Sequence, residues 1–379
     1  MAATVAGIRI SLVAATMLAA TSAPAADTWQ IGGNLRVGYV ASETRARDGA
    51  ESDADSFRTR ARVHLRADPG NGWRFGVRAA GRFDSGQDGS DFWMRTWAPG
   101  PSGLVDGQAT FDEAWLEHAP VNARWSLRLG RFQASFGLDD VMKKSLDQND
   151  STNFDITWTD GAWWQWRGDA WTTHAIIRHN DRRGPTGTLR PPLEFSDDGS
   201  RASGFFAIAS NRTVGPFVQR MLTVNWLPSA LRRHGVADPD ARDYLAVTAK
   251  TTAQWPLGDT LRLRLGAEIG HAFDTPRRET MGSGVGDADG LAWQLSANLL
   301  DFAPGQRFGL IWSRVPDGWL LSSDFRPNDT QAEARWVWQA HPALQLDARI
   351  RRREEVRIPD DAGQPRRDLD IYLRGTWTF

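Results

Sequence analysis

The chain has 379 residues, 45 basic against 46 acidic side chains, 41% hydrophobic residues and no cysteine. Near-neutral charge gives no global attraction to nucleic acid, and the lack of cysteine excludes a disulfide framework, thiolate metal sites and thiol catalysis. Mean hydropathy is −0.47, a value that looks water-soluble until the patterning is read.

Residues 1–25 carry one positive charge (Arg9), an apolar run from Ile10 to Ala20, and Ala23 and Ala25 in A-x-A spacing. That layout is a secretory signal peptide, too short and wrongly flanked for a membrane-spanning helix. Cleavage there leaves 379 less 25, or 354 residues, starting near Ala26, with 44 basic and 46 acidic side chains once Arg9 is removed. No later window holds 18 consecutive apolar residues, so no transmembrane helix is expected. No Pro-rich, Ser-rich or charged linker divides residues 26–379, which read as one unit.

What recurs instead is a run of about ten residues alternating apolar and polar, bounded by turn residues. The pattern places strands near 30–43, 54–67, 72–84, 109–118, 123–133, 159–167, 170–181, 202–210, 216–227, 242–254, 260–273, 289–300, 306–315, 328–340, 344–357 and 366–379, sixteen in all. Leu261, Leu263, Leu265, Ala267 and Ile269 alternate with Arg262, Arg264, Gly266 and Glu268. Short turns such as Asp68-Pro69-Gly70-Asn71, Arg167-Gly168-Asp169 and His341-Pro342-Ala343 alternate with longer polar loops at 85–108, 134–158, 182–201 and 274–288. This is the layout of an all-β, antiparallel transmembrane barrel with short periplasmic turns and long external loops, one face of each strand toward outer-membrane lipid. The 19 Trp fit the aromatic girdles of such a barrel.

The last strand shows the pattern most fully. Leu369, Ile371, Leu373, Gly375, Trp377 and Phe379 share one face, and Asp368, Asp370, Tyr372, Arg374, Thr376 and Thr378 share the other. A chain ending on an aromatic residue, with apolar residues at alternating positions before it, resembles the signal by which the barrel-assembly machinery takes up outer-membrane barrels.

The same parity names the inner face. Arg58, Arg60, Arg62, His64 and Arg66 point inward on the second strand, joined by Arg74, Arg78 and Arg82 on the third and Arg124 and Arg128 on the fifth. Guanidinium stays charged at any working pH and matches carboxylate and phosphate oxygens in a fork, so a column of Arg would favour anions. Glu113, Trp115 and Glu117 of the fourth strand share the inward parity, and their carboxylates could equally turn the column into a balanced salt-bridge lattice. Arg349, Arg351 and Arg353 face Asp368 and Asp370, a second and more structural ladder. Of the 45 basic residues only three are Lys.

The third external loop, 134–158, is long and mixed in charge, with Leu138, Val141, Met142 and Leu146 at the spacing of a helical turn. Leu129-Gly130-Arg131-Phe132 followed by Phe136-Gly137-Leu138-Asp139 resembles the lead into the third loop of the phosphate-selective porin family, the O and P type, within the wider porin superfamily. The resemblance implies a sixteen-stranded homotrimer that passes small anions such as phosphate. It also implies a third loop folded into the barrel, which would bring Asp139, Asp140, Lys143, Lys144 and Asp147 against the wall arginines as a constriction; the alternative is a loop lying over the mouth. Alginate-export barrels are similar in style, with Arg-rich walls and eighteen strands.

Enzymatic chemistry is not visible. The seven His are scattered without a nucleophile motif or metal-ligand spacing, and Gly282-Ser283-Gly284-Val285-Gly286 sits in a loop with no helix to receive a phosphate. No cofactor or metal is expected. An enzymatic barrel and an adhesive barrel with a plugged lumen are the rival classes.

Overall fold

The computed structural model describes residues 29–85, 110–150, 153–154, 156, 158–179, 202–231, 242–281, 284–358 and 363–379. Within them lie β1 (Trp29–Arg45), β2 (Glu51–Gly70), β3 (Trp73–Asp84), β4 (Thr110–His118), β5 (Trp125–Phe132), β6 (Thr159–Arg167), β7 (Trp171–His179) and β8 (Ala202–Ser210). They continue as β9 (Phe217–Leu231), β10 (Arg242–Pro256), β11 (Arg262–Ala272), β12 (Leu291–Ala303), β13 (Gln306–Val315), β14 (Asp329–His341), β15 (Leu344–Glu355) and β16 (Arg367–Thr378). Each strand pairs antiparallel with its predecessor, and β1 pairs with β16 from Asn34↔Thr378 to Arg45↔Arg367. The sheet therefore closes on itself and leaves no strand edge, the condition for satisfying every backbone group in a bilayer.

Period-two alternation decides which face meets lipid. On β16, Leu373 is 62% exposed while its neighbour Tyr372 is 2% exposed. The same split runs round the wall: Leu265, Ile269, Leu295, Leu310, Trp312 and Ile350 are exposed, whereas Thr248, Lys250, Glu268, Gln294, Asn298 and Glu333 are buried on the inner face. Trp29, Trp73, Trp125, Trp166, Trp171, Trp255 and Trp377 lie exposed near the short-turn end, where an interfacial aromatic belt belongs. At that end Phe379 N and O bond Gly33 O and N at 3.1 and 2.8 Å. A Cβ on Gly33 would stand 2.6 Å from the Phe379 ring, so glycine here makes room for the terminal aromatic.

The sixteen strands match the sequence expectation, with β2 and β9 running further outward than the alternation indicated. Other expectations are corrected or untouched. The connection between β5 and β6 is irregular among its described residues: Leu138, Val141, Met142 and Leu146 are all buried, but not as a helical turn, and Lys143 has φ +52°. The 274–288 loop contains the short helix α1 (Arg278–Met281). The signal peptide, 1–25, the loop residues 86–108 and 182–201, and Gly282 and Ser283 lie outside the described residues.

The core sits inside the barrel. Phe132, Ala134, Phe136, Ile176, Phe205 and Ala207 form one buried cluster against Trp115 and Trp163. Met142 and Leu146 join Tyr244, Trp319, Leu321 and Phe325 in another. Both clusters are made by connections pressing on the inner wall, so much of the lumen is packed rather than wet.

Candidate functional site: the barrel lumen

Parity places Arg58, Arg60, Arg62 and Arg66 on the inner face of β2, and Arg74, Arg78 and Arg82 on that of β3, as the registers Arg60↔Arg82 and His64↔Arg78 show. The column is largely paired. Arg62 reaches Asp112 at 2.8 Å, and Arg78 reaches Asp112 at 2.7 Å and Glu113 at 2.6 Å. Glu117 takes both Arg74 and Arg128, the latter also lying 4.3 Å over the Trp115 ring. Arg66 is 4.0 Å from Glu113 and half-exposed, and Arg58 donates to Ser56 Oγ at 3.1 Å. Arg60 and Arg82 are 1% and 4% exposed.

Strand parity does not name Asp112, because the inward parity of β4 is broken by a register shift between Arg78 and Ala79. The irregularity lets Asp112 and Glu113, consecutive residues, both turn inward. Arg124 is a correction of the opposite kind. It precedes β5, in the short connection from β4, and its exposed guanidinium meets Asp169 of the next short connection at 3.0 Å. It belongs to the rim and not to the wall.

The β5–β6 connection is tied to the inner wall at many points. Lys250 of β10, with no exposed side-chain surface, donates to Asp147 at 2.6 Å, Ser145 Oγ at 2.6 Å and Phe136 O at 2.7 Å, and stands 2.9 Å from Glu268 of β11. Asp147 also accepts from Thr223 of β9. Lys144 pairs with Glu333 of β14 at 2.7 Å, and Asp139 with Arg264 of β11 at 2.5 Å. Val141 N donates to Asn298 Oδ1 at 3.0 Å. Gly309 of β13 permits this seat, since a Cβ there would be 2.9 Å from Val141 and 3.0 Å from Met142 Sδ. The connection between β13 and β14 braces it from the far side, with Trp319 Nε1 donating to Leu146 O at 2.7 Å and Asn149 Nδ2 to Asp324 at 2.6 Å.

Seating these charges away from water costs them. Burial pushes the Asp140 carboxyl up to about 6, against hydrogen bonds from Lys143 and Met142 backbone and Ser296 that lower it. Burial lowers Lys144 to about 8 although Glu333 opposes the shift. Lys143, by contrast, is exposed, and partial desolvation and then the charges of Arg307 and Arg335 push its ammonium below the usual lysine value.

The opposite wall, β13 to β16 and β1, carries a second arginine set. Asp347 takes Arg335 at 2.5 Å and also Arg374, and Asp370 takes Arg351 at 2.7 Å and also Arg349. Arg353 lies 3.8 Å from both Asp368 and Asp370, so the expected ladder with the final strand is present. Arg36 and Arg374 both donate to Asn153 of the β5–β6 connection, Arg36 at 2.5 Å to its carbonyl. Between this wall and the connection lies a polar cavity of about 300 Å³. A second cavity of about 440 Å³ lies toward the short-turn end, between Gln30, Arg66, Arg74, Glu113, Trp115 and Arg128.

A closed antiparallel wall with an apolar outer face and an ionised inner face defines a multi-pass β-barrel of the Gram-negative outer membrane. The chain is similar to the solved structure of Pseudomonas putida OprB, with a TM-score of 0.59 and 10% identity over 93% of this chain and 94% of that one. It is similar to Pseudomonas aeruginosa OprD, with a TM-score of 0.54 and 11% identity over 93% and 95%, and to Pseudomonas aeruginosa OpdL, with 0.54 and 12% over 93% and 98%. These are Gram-negative outer-membrane porins, and at such identities what the chain shares with them is the fold. No protein-family model matches the chain, and no curated protein sequence is detectably similar to it.

Proposed function

We propose that the barrel is a porin through which small hydrophilic solutes diffuse across the outer membrane, with a preference for anions, phosphate among them. The observation that carries this reading is the inner face: it is built from ionised and hydrogen-bonding side chains, while an irregular connection narrows the lumen from the side of β7 to β14. Such a wall hydrates a passage and sorts permeants by charge. In this reading Asp139, Asp140, Lys144 and Asp147 hold the constriction in place, and Lys143 presents a charge without an ion-pair partner to the lumen. Arg62, Arg74, Arg78 and Arg128 form a lattice with Asp112, Glu113 and Glu117 that contributes shape more than field, and the anion preference comes from Lys143 and Arg307 on the β13–β1 side. The sixteen strands count against the eighteen of the alginate-export style.

The reading extends to biogenesis and assembly. Residues 1–25 direct export, Phe379 engages the barrel-assembly machinery, and the mature chain forms a homotrimer. Planar-bilayer recording under a salt gradient tests the function. Discrete conductance steps with an anion-favouring reversal potential are expected; no steps at all would sink the diffusion reading.

A further inference from the structure

The lipid-facing wall between β10 and β16 is not evenly convex. A depression of about 950 Å³ runs across it, with Ala297, Ala332 and Ala334 on its floor and Leu295, Trp312 and Ile350 standing above them. The registers set floor and ridge side by side, since Ala332 pairs with Trp312 and Ala334 lies between Leu310 and Ile350. From β10 to β16 is six strand intervals, about 29 Å at about 4.8 Å each. That width takes several acyl chains side by side in the furrows, more than a two-chain lipid supplies.

One end of the depression is charged. Arg352 lines it from β15, three residues before that strand ends at Glu355, on the side of the long connections. Its side chain is 65% exposed and reaches Glu354 at 3.2 Å. Arg367 of β16, 47% exposed, takes the same carboxylate at 3.1 Å. Two guanidiniums against one carboxylate leave the trio one positive charge in excess. Past Leu369 the sign reverses, because the exposed carboxylates of Glu43 and Asp53 stand opposite each other on β1 and β2. An arginine on a lipid-facing wall is cheap only near the interface, where its stem lies along apolar surface and its head reaches polar groups.

We propose that this depression holds a phosphorylated outer-leaflet lipid with several acyl chains, the chains lying in the furrows and a phosphate bridging Arg352 and Arg367. Guanidinium forks match phosphate oxygens in pairs, and the carboxylates of β1 and β2 repel the headgroup toward β15. The alanine floors let the chains sink between Leu295, Trp312 and Ile350, so the wall selects by chain number as well as by charge. The site lies outside the lumen and is independent of what the barrel conducts.

Native mass spectrometry of the delipidated full chain in detergent tests it, with diphosphoryl lipid A, the same lipid dephosphorylated, and dipalmitoyl phosphatidylglycerol as probes. Diphosphoryl lipid A should bind, and each of the other two about tenfold more weakly, equivalent to about 1.4 kcal/mol. Arg352→Gln with Arg367→Gln should erase the difference between the phosphorylated and dephosphorylated forms. Ala297→Phe with Ala332→Phe fills the furrows, leaves every charge in place and should bring lipid A down to the level of phosphatidylglycerol. The lipid series on the native chain needs no variant, so a folding defect in either pair leaves the test standing. Equal binding of dephosphorylated lipid or of phosphatidylglycerol by the native chain would overturn the proposal. So would a furrow-filled variant that loses an oligomer but keeps its lipid, since a second copy would then be what covers this face.

Discussion

The two arginine walls of this barrel use the same residue at the same alternating positions and end in different electrostatic states. On β2 to β5, Asp112, Glu113 and Glu117 absorb Arg62, Arg74, Arg78 and Arg128. On β13 to β1, Asp347 and Asp370 absorb several arginines but leave Arg307, and with it Lys143 from the facing connection, unmatched among the described residues. A column of like charges along one strand therefore says little about the field in a lumen. What matters is whether the neighbouring strand, one register step away, supplies the counter-charge.

That contrast can be broken most severely at the anchor that holds the β5–β6 connection against the wall. Lys250→Met removes the cation that bridges Asp147 and Glu268, and leaving a buried carboxylate without its partner costs about 3–5 kcal/mol. The connection should leave its seat, with single-channel conductance rising and trypsin cutting at Lys143 and Lys144; unchanged conductance would show that the seat does not depend on this cluster. A smaller effect is expected on the matched wall. Glu117→Gln releases Arg74 and Arg128 from their shared carboxylate, so the reversal potential should move toward anions, making the first wall resemble the second. No movement would mean that those arginines do not face the permeation path.

The seat of the connection also responds to acidity. The Asp140 carboxyl sits at about 6 against an ordinary 3.8, so the seated connection favours the neutral acid. Its contribution to seating is full below 3.8 and is lost as pH rises through about 6. Tryptic nicking of the connection should therefore increase between pH 5 and pH 7 in the native chain, relative to a denatured control, and Asp140→Asn should flatten that rise. The smallest effect belongs to the rim. Arg124→Ala removes an exposed pair with Asp169, a contact of about 1 kcal/mol or less, and neither thermal unfolding nor ion selectivity should move.

The barrel was legible in the sequence because lipid outside and polar side chains inside impose one rule on every strand. Leu369 to Phe379 obeys it residue by residue, and Phe379 marks where it ends. The lumen was legible only where that rule holds. It names Arg62 and Arg78 correctly but misses Asp112, because a register irregularity in β4 turns two consecutive carboxylates inward. It places Arg124 on the wall, although the strand begins one residue later. The spacing of Leu138, Val141, Met142 and Leu146 identified buried residues but implied a helical turn, since burial against a curved wall can satisfy that spacing without helix geometry. The anchor joining Asp147 to Lys250 spans 103 residues, a separation across which no local pattern speaks. One signal was available. Gly266, Gly270 and Gly309 interrupt inner faces where side chains are otherwise polar, and each stands where Leu138, Trp319 or Val141 presses in.

Anion preference is set by Lys143 and Arg307, whose side chains make no ion pair among the described residues, and not by the carboxylate-paired arginines Arg62, Arg74, Arg78 and Arg128 of β2 to β5. Reversal potentials in a potassium chloride gradient test it most directly, measured for the native chain, for Lys143→Gln with Arg307→Gln, and for the charge-neutral pair Glu117→Gln with Arg128→Gln. An anion preference that the first pair removes and the second preserves is expected. Loss of preference in the second pair, with the first unaffected, would contradict it.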